Sequence, residues 1–219
     1  MTIGYGKILL LVAISFILPR IPVIGKFFNI INTALHEFGH ALAALLTNGT
    51  VEKIQLFKDT SGTTVTRSGN KLATVIVSLA GYPFAASVAW LSFYLIKNDV
   101  CLELIVGLTI LFLIMLLFWI RNWYGVLWVF LFCAANSLLL IYGKEQQIEI
   151  VALFYAVMIL TESVVSSLVL LVISFRDSNR AGDATNLARV THIPALLWSL
   201  MFLTYALWIT YRVVLMLFF

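Results

Sequence analysis

The chain has 219 residues, of which 62% are hydrophobic and 11% are charged, and its mean hydropathy is +1.04. Soluble domains carry about 25% charged residues, so this composition excludes an ordinary soluble protein and indicates a polytopic membrane protein. The net charge of +4 does not indicate nucleic-acid binding, because the basic residues stand singly between apolar segments and form no patch.

Apolar segments long enough to cross a bilayer, which takes about 20 residues, recur along the chain. The first apolar segment, residues 8–18, is not followed by the small-residue pattern of a signal-peptide cleavage site. It is therefore predicted to be retained in the protein. The predicted fold class is an all-α, multi-pass integral membrane protein with six to seven transmembrane helices, and residues 1–219 are predicted to form a single domain. The predicted helices cover residues 7–19, 24–46, 72–96, 101–120, 123–142, 148–175 and 190–217.

Two polar segments interrupt these helices. The first follows the second helix, and its β-branched stretches 51–57 and 63–66 flank the turn-forming sequence KDTSG, which predicts a β-hairpin at the membrane surface. The second, FRDSNRAGDATNLAR, precedes the last helix.

With a cytosolic N-terminus the cytosolic segments hold nine Lys and Arg residues against five on the other side. The positive-inside rule therefore favours a cytosolic N-terminus.

The second predicted helix contains two of the three histidines, in the sequence HEFGH. Residues four apart share a helix face, so His36 and His40 can reach one metal ion, with Glu37 beside them. The six polar side chains of residues 29–40 occupy an arc of about 140°, and the apolar side chains opposite are expected to face lipid. Structural hydrogen bonding would explain a lone histidine, but ionisable clusters inside membranes are costly and usually functional. The pattern therefore predicts a zinc site.

A catalytic zinc ion takes three protein ligands, and several residues could be the third. Glu162 and His192 are candidates, whereas Cys101 and Cys133 lie in apolar surroundings without a CxxC pair. Topology favours Asp183. An even number of predicted helices separates the histidine helix from the polar segment that contains this residue, so the end of the histidine helix and Asp183 lie on the same side of the membrane. Asp183 could instead be the N-cap of the last helix, since Asp is preferred at that position. Spacing alone leaves both roles open.

Four segments of the chain carry a family resemblance: HEFGHALAALL at 36–46, SLAGYPFAAS at 78–87, RNWYG at 121–125 and GDATNLARVTHIPALLW at 182–198. With them the sequence resembles the site-2 protease family of intramembrane zinc metallopeptidases, in particular its compact bacterial branch. The resemblance implies Zn2+ as cofactor, His36 and His40 as zinc ligands, Glu37 as the catalytic base and Asp183 as the third ligand. The chain departs from longer members, because it has neither their Asn-Pro nor their Leu-Asp-Gly signature, and Tyr82 interrupts the usual Gly-Pro step.

The function implied by the resemblance is hydrolysis of peptide bonds in membrane-anchored proteins or peptides, within a bacterial cell membrane. The expected partners are such a substrate and the lipid bilayer, with no nucleic acid, and the sequence carries no indication of oligomeric state. Two other classes fit a metal site in a membrane. A metal-binding transporter would need ionisable residues along several helices, and Glu162 is the main additional one. A catalytically inactive scaffold would not need Glu37.

The substrate must unwind, because a peptide bond within a helix is inaccessible to such a site. The predicted hairpin could receive the resulting strand at its edge, or it could be a plain surface loop. His192 and Asn186 are candidate groups for stabilising the oxyanion. Gly81 and Pro83 are expected to break the third helix and to expose its backbone to the cavity.

Overall fold

The computed structural model describes Gly6, Ala13, Ile14, Ile17, Ile21 and residues 24–218. From residue 24 onward the chain forms seven α-helices and one β-hairpin, which confirms the predicted fold class. In chain order these are α1 (Ile24–Leu46), β1 (Thr50–Leu56), β2 (Gly62–Arg67), α2 (Lys71–Lys97), α3 (Cys101–Phe118), α4 (Trp123–Tyr142), α5 (Glu145–Arg176), α6 (Gly182–Thr191) and α7 (Ala195–Phe218), with a short 3-10 turn at Ser178–Arg180 before α6.

Five of the described helices, α2, α3, α4, α5 and α7, are long and apolar enough to cross a membrane. Large apolar side chains such as Leu117, Phe130 and Phe175 are more than 60% exposed on these helices, as expected where a helix faces lipid. The chain is therefore an integral, multi-pass membrane protein. α1 has 23 residues, but its polar side chains lower its hydropathy and it is not one of the five. The predicted helix at 7–19 falls outside the continuously described range.

Two predictions about helix continuity were wrong. The predicted last helix, 190–217, is interrupted at His192, whose backbone is left-handed with φ 61°. Residues 190–191 end a separate helix, α6, which was not predicted within the polar segment, and the continuous last helix begins only at Ala195. Pro194 follows closely, and a proline disfavours helical backbone in the residue before it. Conversely, α2 continues through Gly81 and Pro83 without a break, because a membrane helix can accommodate a proline when its neighbours satisfy the freed backbone groups.

The hairpin is confirmed, with β1 and β2 antiparallel from Thr50 opposite Arg67 to Leu56 opposite Gly62. The hairpin packs against α1 along much of that helix. The Thr33 hydroxyl donates to the Thr60 carbonyl at the hairpin turn, at 2.8 Å. Thr33 lies 13 residues before the end of α1, which corresponds to about 20 Å. The hairpin is therefore folded back along α1.

The outer edge of β1 is covered by the loop between α3 and α4. The Ile54 amide donates to the Trp119 carbonyl at 2.7 Å, and the Arg121 amide donates to the Ile54 carbonyl at 3.1 Å. The Asn122 side chain accepts from the Leu56 amide and donates to the Leu56 carbonyl. Among the described residues, β2 has a strand partner on one side only. The hairpin is therefore anchored through β1 and open at β2.

α1 lies inside the bundle. Gly39 packs against α2 so closely that a Cβ there would lie 2.8 Å from Phe84 Cβ, which agrees with the small residues found at close helix contacts in membranes. Asn32 accepts a hydrogen bond from Ser163 of α5 at 3.0 Å. Ile31 and Leu35, expected to face lipid, are fully buried. That expectation was wrong, because α2, α5 and the hairpin all pack against α1.

Candidate metal centre

His36 and His40 project from one face of α1. Their Nε2 atoms are 3.0 Å apart, and the rings meet edge to face with centroids 4.6 Å apart. This proximity follows from the helical period, because side chains at positions i and i+4 lie one above the other. Two nitrogen lone pairs are thereby directed towards one point.

The carboxylate of Asp183 reaches the same point from α6. Its Oδ2 atom lies 3.2 Å from His36 Nε2 and 3.1 Å from His40 Nε2. Asp183 is in the first turn of α6, whose N-cap is Ala181, and no side chain caps this helix. The alternative that Asp183 is an N-cap is therefore not observed.

Local hydrogen bonds hold the start of α6 in place. The Thr185 hydroxyl donates to the Ser178 carbonyl at 2.6 Å and accepts from the Ala181 amide at 3.0 Å. Gly182 has a positive φ of 45°, a conformation that glycine adopts without steric cost. The chain can therefore turn sharply at the residue before Asp183, so that the carboxylate points towards α1.

The electrostatic environment keeps Asp183 ionised. Burial acts to raise the pKa of its carboxyl, but attraction and hydrogen bonding from His40 and His36 outweigh burial and hold the pKa well below its usual range. An ionised carboxylate is the form that binds a metal ion.

α2 supports the two imidazoles from behind. His40 Nδ1 donates to the Val77 carbonyl at 2.7 Å, which leaves the Nε2 lone pair free, as in metal-binding histidines. A Cβ on Gly81 would lie 2.5 Å from His36 Cε1 and 2.6 Å from His40 Nε2. Glycine is therefore required where α2 passes the two rings. Tyr82 packs edge to face against His36 with centroids 4.5 Å apart.

The three donor atoms fit a tetrahedral zinc ion. Ligands at 2.0–2.1 Å from a tetrahedral metal are about 3.3 Å from one another, and the three donor atoms here are 3.0–3.2 Å apart. Two imidazole nitrogens and a carboxylate oxygen are also a donor set that zinc accepts. Among the described residues, His36, His40 and Asp183 are the one group of three potential ligands that meets at a point.

The hairpin lies directly against Glu37, which is 4% exposed. The Thr64 hydroxyl donates to Glu37 Oε2 at 2.6 Å. A Cβ on Gly62 would lie 2.6 Å from Glu37 Oε1, so a larger residue at position 62 would displace the Glu37 carboxylate. Thr64 was not among the predicted site residues, although the run of hydroxyl residues in GTTVT was a visible signal.

These groups line a cavity of about 760 Å³ between α1, β2, α2 and α6. Asn186 lines this cavity, whereas Glu162 and His192 do not. Cys101 and Cys133 are buried free thiols outside the cavity. Of the candidates for the third ligand, the structure therefore brings only Asp183 to the histidines. Hydroxyl side chains dominate the cavity wall, among them Thr33, Thr63, Thr66, Ser68, Thr74 and Ser78.

A family model described as Peptidase M50B-like matches residues 8–213, a range that includes the histidine helix, the hairpin and α6. No curated protein and no solved structure matches the chain significantly.

The substitution Asp183→Asn tests whether this carboxylate holds a metal ion. We expect the zinc affinity to fall by at least roughly 10–100-fold, the loss that follows removal of even an outer-shell partner, because a neutral amide oxygen replaces an anionic one. Equilibrium dialysis of the purified full chain measures the affinity, and far-ultraviolet circular dichroism checks the helices. Asn186→Ala, on the same helix and in the same cavity, is the control and should bind zinc normally. Unchanged zinc affinity in Asp183→Asn would exclude this residue as a ligand.

Proposed function

Because this chain belongs to the Peptidase M50B-like family, a site-2 protease family, we propose that it is an intramembrane zinc metalloprotease that hydrolyses peptide bonds of membrane-anchored substrates. One observation carries the proposal: three donor atoms of His36, His40 and Asp183 lie 3.0–3.2 Å apart. Glu37, a residue outside this triangle, is buried in the wall of the same cavity.

His36, His40 and Asp183 would hold the zinc ion. A bound zinc ion supplies a Lewis acid and makes water a better nucleophile at neutral pH. The chain supplies the rest of the site. The Val77 carbonyl orients His40, and α6 presents an ionised carboxylate.

Glu37 is the proposed general base. Its Oε2 atom accepts a hydrogen bond from Thr64, and its carboxylate would take a proton from the attacking water and pass it to the leaving amine. A general base must lie close to the proton that it removes, and its carboxylate must keep one orientation. The backbone of β2 at Gly62 and the hydroxyl of Thr64 together restrict that orientation.

The alternative functions find less support in the same geometry. A metal transporter needs successive sites along a pathway, and among the described residues only one group of three potential ligands occurs. A scaffold would gain nothing from a buried glutamate beside the ligands, since an ionisable group inside a bundle is costly.

The proposed catalytic base can be tested with Glu37→Gln. We expect peptide cleavage to fall by roughly 10²–10⁴-fold, the usual contribution of a general base, while zinc remains near one ion per chain because the ligands are intact. The assay is cleavage of a single-span membrane substrate by the purified protein, with zinc measured by atomic absorption. Full activity in this variant would exclude the metalloprotease mechanism, and zinc transport into vesicles without cleavage would favour the transporter.

The contact between Thr64 and Glu37 predicts a defect in turnover. Thr64→Val keeps the shape of the side chain and removes the hydroxyl, so we expect kcat to fall roughly 10–100-fold, since a hydrogen bond to a charged group contributes about 1.5–3 kcal/mol. KM and zinc content should change little, and Thr64→Ser should restore most of the rate. Thr50→Val, which removes a hydroxyl at an exposed position of β1, is the matched control. A kcat for Thr64→Val equal to that of the wild type would contradict a positioning role.

The open edge of β2 is the proposed docking site for the unwound substrate. β2 lines the cavity, and its far edge has no strand partner among the described residues, so an extended peptide can add there through backbone hydrogen bonds.

We expect amide hydrogen exchange of residues 62–67 to slow when a peptide substrate is added to the Glu37→Gln variant, which binds substrate without cleaving it. Exchange within α4 should not change and serves as the internal control. If amide exchange in β2 stays unchanged at a saturating peptide concentration, the substrate binds elsewhere in the cavity.

A further inference from the structure

A second cavity, of about 440 Å³, lies between the last turns of α2 and α7. The two helices run side by side and parallel, because Ser87 contacts Tyr205 at 2.8 Å and Lys97 contacts Met216 at 2.5 Å. α2 begins after the hairpin and α7 begins after α6. Both therefore end on the side of the bundle opposite the candidate metal centre, and we call this cavity the α2–α7 groove.

Two cationic side chains line the groove. Lys97 is the last residue of α2, and its ammonium group donates to the Met216 carbonyl. Arg212 lies one helical turn before Met216, about 6 Å along the axis of α7, so both charges are close to the same space. The nearest acidic residue in sequence, Asp99, does not line the groove. The ion pairs found among the described residues involve neither Lys97 nor Arg212.

Both cations keep hydrogen-bond donors for a further partner. An ammonium group has three N–H donors, and Lys97 uses one of them on Met216. A guanidinium group has five N–H donors, and no described residue accepts a hydrogen bond from Arg212. Its guanidinium instead lies 5.6 Å from the centroid of the Trp208 ring. Arginine and lysine with free donors are suited to a phosphate, which arginine binds with two parallel hydrogen bonds.

Aromatic and apolar side chains complete the wall. Trp90 and Tyr94 stack with centroids 5.6 Å apart, and Tyr94 is nearly half exposed. Trp208, next to Arg212, is exposed to a similar extent but does not line the groove. Tryptophan and tyrosine are enriched at the level of lipid head groups. Leu215 and Met216 add apolar surface. The groove therefore combines the positive charge that attracts a head group with surface that suits the first carbons of an acyl chain.

We propose that the α2–α7 groove binds the head group of an anionic phospholipid, with its phosphate between Lys97 and Arg212. A volume of about 440 Å³ is within the roughly 300–1,000 Å³ of small-molecule sites, and basic pockets between membrane helices bind lipid phosphates. Two cations that merely extend to the interface independently would contribute no more to the binding of an anionic lipid than a basic residue outside the groove does. The proposal depends neither on the metal centre nor on proteolysis.

The test uses the purified full chain and measures binding of phosphatidylglycerol by native mass spectrometry, with phosphatidylcholine and inorganic phosphate as separate probes. We expect phosphatidylglycerol to bind about tenfold or more tightly than phosphatidylcholine, because two basic residues contribute. Lys97→Gln and Arg212→Gln should each weaken phosphatidylglycerol binding about fivefold, and the double variant should lose the preference. Lys144→Gln removes a charge on the same side of the bundle, outside the groove, and should leave binding unchanged.

Circular dichroism and gel filtration identify any variant that fails to fold, and the two single variants keep the test valid if the double variant does not. Three outcomes would overturn the proposal. The first is equal affinity of the wild type for the two lipids. The second is a loss of phosphatidylglycerol affinity in Lys144→Gln as large as that in Lys97→Gln or Arg212→Gln. The third is displacement of phosphatidylglycerol by inorganic phosphate at comparable concentration, which would indicate a site for free phosphate.

Discussion

The rest of the site depends on one long-range contact, the approach of Asp183 Oδ2 to within 3.1–3.2 Å of the Nε2 atoms of His36 and His40. An ionisable group buried in an apolar bundle is costly unless it is paired, so these three side chains stabilise one another only when α1 and α6 meet. That requirement explains why α6 is a separate short helix. A continuous last helix would carry Asp183 along the axis of α7, whereas the break at His192 gives α6 a direction of its own.

Close packing of α1 against α2 is the second requirement. Gly39 and Gly81 lie at the points of nearest approach, where an added Cβ would lie less than 3 Å from Phe84 on one side and from the imidazoles on the other. In membranes this kind of contact holds helices together, because lipid supplies no hydrophobic driving force between them. Here it has a chemical consequence as well. It brings the Val77 carbonyl to His40 Nδ1, which leaves Nε2 available at the candidate metal centre.

The hairpin connects the proposed chemistry with the proposed substrate site. β1 is held by the loop at Trp119 and Arg121, which leaves β2 as the edge beside the cavity. The same strand carries Thr64, whose hydroxyl bonds Glu37. A peptide added to β2 would therefore pair directly with the strand whose Thr64 orients Glu37. The α2–α7 groove lies on the opposite side of the bundle, so lipid binding there and peptide binding at β2 would not compete.

The sequence by itself determined whatever depends on local pattern. Hydropathy identified the apolar helices, and β-branched stretches around a turn identified the hairpin. The HEFGH spacing placed two histidines and a glutamate together. The four segments quoted above identified the family, which the family model confirms. The sequence left open whether Asp183 lies beside the histidines or caps a helix, placed the apolar face of α1 in lipid, did not predict α6 as a helix, and missed Thr64. Only the tertiary structure decided these points, because each depends on which distant segment packs against the residue. Helical and strand periods state which residues share a face, but not what lies opposite that face.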